Sequence, residues 1–278
     1  MVRLSAFADE VSVIFDEQLK YLNEAGIKWM EIRFVDGKNI TALSDEEVME
    51  VKAKLRKASI GVSAIASPIG KYAIDAPFED HMNLFRRTIR TAQMLDAGMI
   101  RIFSFYGSDD TDIENCQEEV IRRLQAFSEE VKGTGICLVH ENEAGIFGHS
   151  ASNCEILMKN LYSDCFKAAY DPANFVWGEK ITDNMTSCWP LLKKYTSHIH
   201  IKDWKLGSKD IGSLPGEGDG QIPELFKELS GMGYEGFVTL EPHMSSGGRF
   251  AGETTPAQFD AAISKVRSYC EKNRIRYE

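Results

Sequence analysis

No stretch of this chain reaches the roughly 18 consecutive apolar residues of a membrane-spanning helix, and the opening MVRLSAFADE has no apolar signal region. A cytoplasmic protein that engages no membrane is the expectation. The six cysteines (Cys116, Cys137, Cys154, Cys165, Cys188 and Cys270) include no C-x-x-C pair. They form no dense framework and read as reduced thiols. Low-complexity segments and Pro/Ser-rich linkers are missing, which argues for one domain over 1–278. Basic charge is in deficit, with 32 Lys and Arg against 42 Asp and Glu and a net charge of −10. The average surface therefore repels duplex DNA, and no nucleic-acid partner is expected.

What is present is a repeated alternation. Short β-rich runs fall at 3–8, 28–34, 60–66, 99–105, 135–141, 166–171, 197–202 and 236–241. Amphipathic stretches follow them near 12–25, 45–58, 78–96, 113–133, 150–160, 186–195, 222–231 and 256–273. The 45–58 stretch places Val48, Val51 and Leu55 on one face and opens on Ser44 with Glu47, a capping box. Gly26, Gly61, Gly98, Gly135 and Gly231 with Gly233 stand where left-handed helix ends would feed the next strand. Eight alternations predict a closed (β/α)8 TIM barrel. A doubly wound open sheet would want a Gly-rich first turn, and Phe7-Ala8-Asp9-Glu10 is not one.

Four of the strands end on metal-seeking side chains: Glu141, Asp171, His200 and Glu241, at intervals of 30, 29 and 41 residues. One strand–helix unit of such a barrel takes roughly 30 residues, so ligands one repeat apart meet at the same end of neighbouring strands. The period of two turns Cys137, Val139 and Glu141 inward together, as it does Ala169 with Asp171, His198 with His200 and Lys202, and Thr239 with Glu241. Two Glu, one Asp and one His make a hard site for a divalent cation.

The motifs HENE at 140–143, YDPAN at 170–174, HIHIKD at 198–203, PGEGDGQI at 215–222 and GYEGFVTLEPH at 233–243 resemble the xylose-isomerase-like barrel family. That superfamily includes sugar epimerases and isomerases, inosose-processing enzymes and endonuclease-IV-like proteins. The resemblance implies one divalent ion (Mn, Mg, Co or Zn) on Glu141, Asp171, His200 and Glu241, the second His of the H-x-H pair being the ligand. It also implies that Glu141 and Glu241 are an acid/base pair acting beside a carbonyl through an enediolate. A sugar or keto-sugar isomerase or epimerase is the first expectation, and a lyase or dehydratase on a keto-sugar, inosose or glycoside the alternative.

Two positions depart from the pattern. Relatives often carry His where this chain has Asn174, and some ketose 3-epimerases lack a lysine where it has Lys202. Both are candidate substrate contacts, as are Lys71 in SPIGKY, His149 in GIFGHS, and Arg101. Glu31, Arg33 and Arg101 are otherwise expected as a paired charge layer inside the barrel. Trp177 and Trp204 either wall off water or stack on a sugar. The PGEGDG segment reads as a turn or lid, with a phosphate cradle as the alternative. His198, His81 and His140 are expected to be structural, and His243 to support the ligands. The extra histidines of a three-metal nuclease are absent from IASPIG, IFSFYG and DWKLGSKD. An apolar outer helix face serves barrel packing or a homo-oligomer contact.

Overall fold

The computed structural model describes residues 1–208, 211–244 and 254–278. Its strands are β1 (Arg3–Ala6), β2 (Trp29–Ile32), β3 (Phe34–Val35), β4 (Lys38–Asn39), β5 (Gly61–Ala66), β6 (Met99–Ile102), β7 (Cys137–Glu141), β8 (Phe166–Tyr170), β9 (Thr196–Ile201) and β10 (Phe237–Leu240). Eight of them close into a barrel in the order β1-β10-β9-β8-β7-β6-β5-β2. Every pairing in it is parallel.

Alternation explains the two layers. Ile100, Ile102, Leu138, Ile199, Ile201, Val238 and Leu240 are fully buried in the apolar core between strands and helices. Each such side chain contributes roughly 1.5–3 kcal/mol by leaving water. The residues between them point to the barrel axis, and that axis is polar: Ser5, Ser63, Glu31, Arg101, His198 and Thr239 are all buried. The apolar outer layer thus carries the stability, and the interior is free to hold charge.

The helices are α1 (Phe15–Ala25), α2 (Asp45–Ala58), α3 (Phe78–Met94), α4 (Gln117–Val131), α5 (Ala151–Leu161), α6 (Pro172–Glu179), α7 (Asn184–Ser187), α8 (Trp189–Leu192), α9 (Ile222–Gly231) and α10 (Pro256–Lys272). The Ser44–Glu47 capping box opens α2 as expected. Three features differ from expectation. The helix expected over 186–195 is two short pieces, α7 and α8, separated at Cys188, with Pro190 at the start of α8. Proline has no N–H to continue the ladder. Helix α6 was not foreseen, although Asp171-Pro172 is a cap followed by proline at the first helical position. Nor was the β3–β4 hairpin, whose Asp36-Gly37 turn has φ of 48° and 77°.

The glycine expectation holds only in part. Gly26 caps α1 at φ 66° and Gly233 has φ 63°, but α2 is capped by Ser59 at φ 57°. Gly61 instead lies under Trp29, whose ring would be 2.4 Å from any Cβ there.

Candidate metal centre

Backbone placement comes first. Glu141 closes β7, Asp171 follows β8, His200 lies inside β9 and Glu241 follows β10. Asp171 also caps α6: its Oδ1 accepts the N–H groups of Ala173 (2.9 Å) and Asn174 (3.2 Å). The Asn142 side chain clamps the same residue from β7's end, accepting from Asp171 N (2.9 Å) and donating to Asp171 O (2.8 Å). Glu141 pairs in register with Ala169, a small residue that leaves space beside the carboxylate.

Ligand atoms of Glu141, Asp171, His200 and Glu241 all lie within 4.8 Å of one another, and all four residues are buried. Bonds of about 2.0–2.6 Å, the range across divalent cations, put two donors on opposite sides of one ion about 4.0–5.2 Å apart. The donor set and its spread thus fit a single divalent cation. Two further groups share members with this one: Glu31–His198–His200, and Glu10–Glu241–His243.

Each glutamate is anchored by an arginine. Arg101 Nη1 donates to Glu141 Oε2 (2.7 Å), and Arg33 Nη1 donates to Glu241 Oε1 (2.8 Å) while its Nε holds Asp9 (2.7 Å). That leaves Glu141 Oε1, 3.1 Å from His200 Nδ1, and Glu241 Oε2, 3.8 Å from it, facing the centre. Burial alone would raise the Glu141 carboxyl, but His200 and Arg101 hold it below the usual range. Burial is likewise overcome at Glu241, by Lys202, His243 and Arg33. At Asp171 burial wins over the attraction of Lys202, and its pKa is pushed up to about 6.

A second layer sits beneath. Glu31 Oε2 lies 2.6 Å from His198 Nε2 and 3.1 Å from His200 Nε2. Taking the Nε2 side of His200 turns Nδ1 toward the carboxylates. Burial opposes charge on His200, yet Glu31 and Glu141 raise its pKa well above the usual value. An imidazolium has no lone pair, so a cation binding at Nδ1 must release a proton.

The structure gathers some of the expected substrate residues at this centre and leaves others outside. Lys202 Nζ is 2.9 Å from Asp171 Oδ2. Asn174 donates to Glu141 Oε1 (3.3 Å) and to Asn142 O (2.8 Å), so its amide braces that carboxylate. Arg101 is taken up by Glu141, lies over the Phe103 ring, and is nearly enclosed. Lys71 is part-exposed, pairs with Glu143 (3.1 Å) and also lies over Phe103. His149 is not turned to the cluster: its ring nitrogens meet Glu179 and Glu114, each at 2.7 Å. The charge layer exists, but its partners come from other strands, Glu31 meeting the two histidines and Arg33 meeting Asp9 and Glu241. Sequence reasoning did not foresee Asp9 or Asn142, nor the link from Glu31 to His200. The inward phase of Glu31 in the sequence was the one signal for it.

The PGEGDG amides do cradle an anion, but an internal one. Asp203 accepts N–H groups from Gly216 (2.8 Å), Gly218 (2.9 Å) and Gly220 (2.9 Å). This corrects the phosphate alternative and explains the glycines, since a Cβ at Gly218 would lie 2.4 Å from Asp203 Oδ1. Hydrogen bonds to a charged acceptor are worth about 1.5–3 kcal/mol each in mutational series. Asp203→Ala is therefore expected to lower stability by about 2–5 kcal/mol, with new proteolytic nicking within 213–220. Unchanged urea unfolding would refute the cradle's role.

Over residues 19–269 the sequence matches the family model described as the xylose isomerase-like TIM barrel. The chain belongs to that family. No curated protein matches it in sequence. Among solved structures it is similar to a D-tagatose 3-epimerase-like protein, with 16% identity, 99% of this chain and 98% of that chain covered, and a TM-score of 0.76. A xylose isomerase-like TIM barrel protein from Mycobacterium smegmatis in complex with magnesium is similar too, with 14% identity, 99% and 96% covered, and a TM-score of 0.74. So is the probable 3-DHS dehydratase AsbF from Bacillus anthracis, with 15% identity, 96% and 99% covered, and a TM-score of 0.73. At these identities the likeness is one of fold. No helix of the described residues is long and apolar enough to cross a membrane.

Proposed function

We propose that this family member is a divalent-metal-dependent isomerase or epimerase of a sugar or keto-sugar, with Glu141, Asp171, His200 and Glu241 as ligands. The observation that carries this is the pair of buried glutamates, each tied by one oxygen to an arginine and each presenting the other to one centre. Their depressed pKa values keep both ionised at neutral pH, so either can start as the base. One takes the proton from the carbon beside the substrate carbonyl. The other must first take up a proton from solvent, which it then returns to the opposite face, and the first loses its proton to solvent to complete the cycle. Glu141, Asp171, His200 and Glu241 would hold a cation there, which would supply polarisation of the carbonyl and stabilisation of the charge that develops on oxygen. Arg101 and Arg33 fix the carboxylates against rotation, which keeps the transferring oxygens in place. The fold neighbours with an epimerase-like and a magnesium-bound description support this reading.

A lyase is the second reading, favoured by the dehydratase among the fold neighbours and by Lys202 beside the ligands. It shares the proton abstraction and then expels a group. Incubation with Mn²⁺ and a panel of ketoses and keto-sugars in deuterated water, read by mass, separates the two. Deuterium gained without loss of water is the expected result, and loss of water selects the lyase. Metal-loaded protein that exchanges no carbon-bound proton across the panel would sink both.

A further inference from the structure

Asp171 has one oxygen to offer a ligand. Oδ1 is engaged by the Ala173 and Asn174 amides, and Oδ2 is buried without a hydrogen bond, 2.9 Å from Lys202 Nζ in ion-pair contact. The same ammonium is 3.7 Å from Glu241 Oε2, the oxygen that Arg33 leaves free. Lys202 therefore stands against two of the four proposed ligands, at the oxygens a cation needs. An ion bonded to Asp171 Oδ2 at about 2.0–2.3 Å would lie roughly 4 Å from an ammonium on the same atom, a strong repulsion in a buried site.

We propose that Lys202 is the resident counter-cation of the metal-free centre, and that a divalent ion enters by displacing its ammonium from Asp171. The inference rests on the metal site proposed above. Without a cation, Glu141, Asp171 and Glu241 crowd three carboxylates into one buried cluster, an arrangement that is costly unless compensated. Arg101 and His200 compensate Glu141, and Arg33 helps to compensate Glu241, each arginine held in place by its own carboxylates. Lys202 supplies the cation at Asp171, and does so from a flexible stem. Its side chain retains 11% exposure, and Glu143, 21% exposed and paired with Lys71, lies in the loop after β7. The displaced ammonium is expected to move toward that rim, where it would meet whatever occupies the mouth.

The test compares Mn²⁺ affinity of the wild type, Lys202→Met and Lys202→Arg by competition with a chromophoric chelator, with melting curves of each metal-free and Mn²⁺-loaded protein. Lys202→Met is expected to bind Mn²⁺ at least about tenfold tighter, the scale of one close charge pair. Its metal-free form should melt lower, so that Mn²⁺ raises its Tm by more than it raises the wild type's. Lys202→Arg keeps the charge and should bind no tighter than wild type. If Lys202→Met fails to fold, Lys202→Gln carries the same expected sign. A neutral variant that binds Mn²⁺ with wild-type affinity or more weakly overturns the exchange. A wild-type protein that binds no Mn²⁺ overturns the metal centre itself, which is a separate failure.

Discussion

Replacing Glu141 or Glu241 by glutamine is expected to abolish interconversion of epimers, lowering the rate by about 10²–10⁴-fold, the range of a positioned proton transfer. Glutamine keeps the shape and can still accept from Arg101 or Arg33, so the barrel should remain folded. It cannot accept a proton from carbon at neutral pH. The two variants should also differ in kind. If the carboxylates work on opposite faces, the survivor still exchanges the proton on its own face, and each variant labels a different epimer without converting it. Each substitution also removes a charged ligand, so exchange must be measured at saturating Mn²⁺, with affinity determined separately. Wild-type interconversion by either variant under those conditions would remove that glutamate from the reaction.

Glu31→Gln is expected to weaken metal binding by about 10–100-fold although it touches no proposed ion, which is the usual cost of losing an outer partner of a ligating histidine. Glu31 is fully enclosed and meets both His198 and His200 on their Nε2 sides. Burial would raise its carboxyl, but the two histidines hold it well below the usual range, so it is ionised and accepts from both rings. Glutamine removes the charge that fixes His200 with Nδ1 toward Glu141; its carbonyl oxygen can take the place of Oε2, but as a neutral and weaker acceptor for the two rings. Chelator competition gives the affinity, and a melting curve of the metal-free variant confirms that it is folded. Affinity within twofold of wild type in a folded variant would show that β9 packing alone orients His200.

How much of this was legible in the sequence depended on the range of the interaction. The barrel was, because each strand–helix unit carries its own periodicity and caps. The Ser44–Glu47 box and the 222–231 helix are local in this sense, and both stand where they were expected. The misreadings have local causes as well. Pro190 interrupts what hydrophobicity alone would continue, while Asp171-Pro172 and Asp36-Gly37 are cap and turn signals that fall between the stronger strand and helix periodicities. The Asp203 cradle was half legible: the glycines read as a turn or lid with an anion site as the alternative, and only the fold shows an anion there that belongs to the chain.

By itself the sequence determined the closed barrel, the inward phase of the strands, and which four side chains end neighbouring strands at one rim. Those follow from a period of two and a repeat of roughly 30 residues, which are properties of the chain alone. The tertiary structure decided the pairing of charge across the barrel: Arg101 with Glu141, Arg33 with Asp9 and Glu241, Glu31 with two histidines, and Lys202 with Asp171. Those partners come from strands far apart in sequence. No periodicity encodes which of several buried cations faces which carboxylate, because tilt and closure of the sheet set that choice in three dimensions.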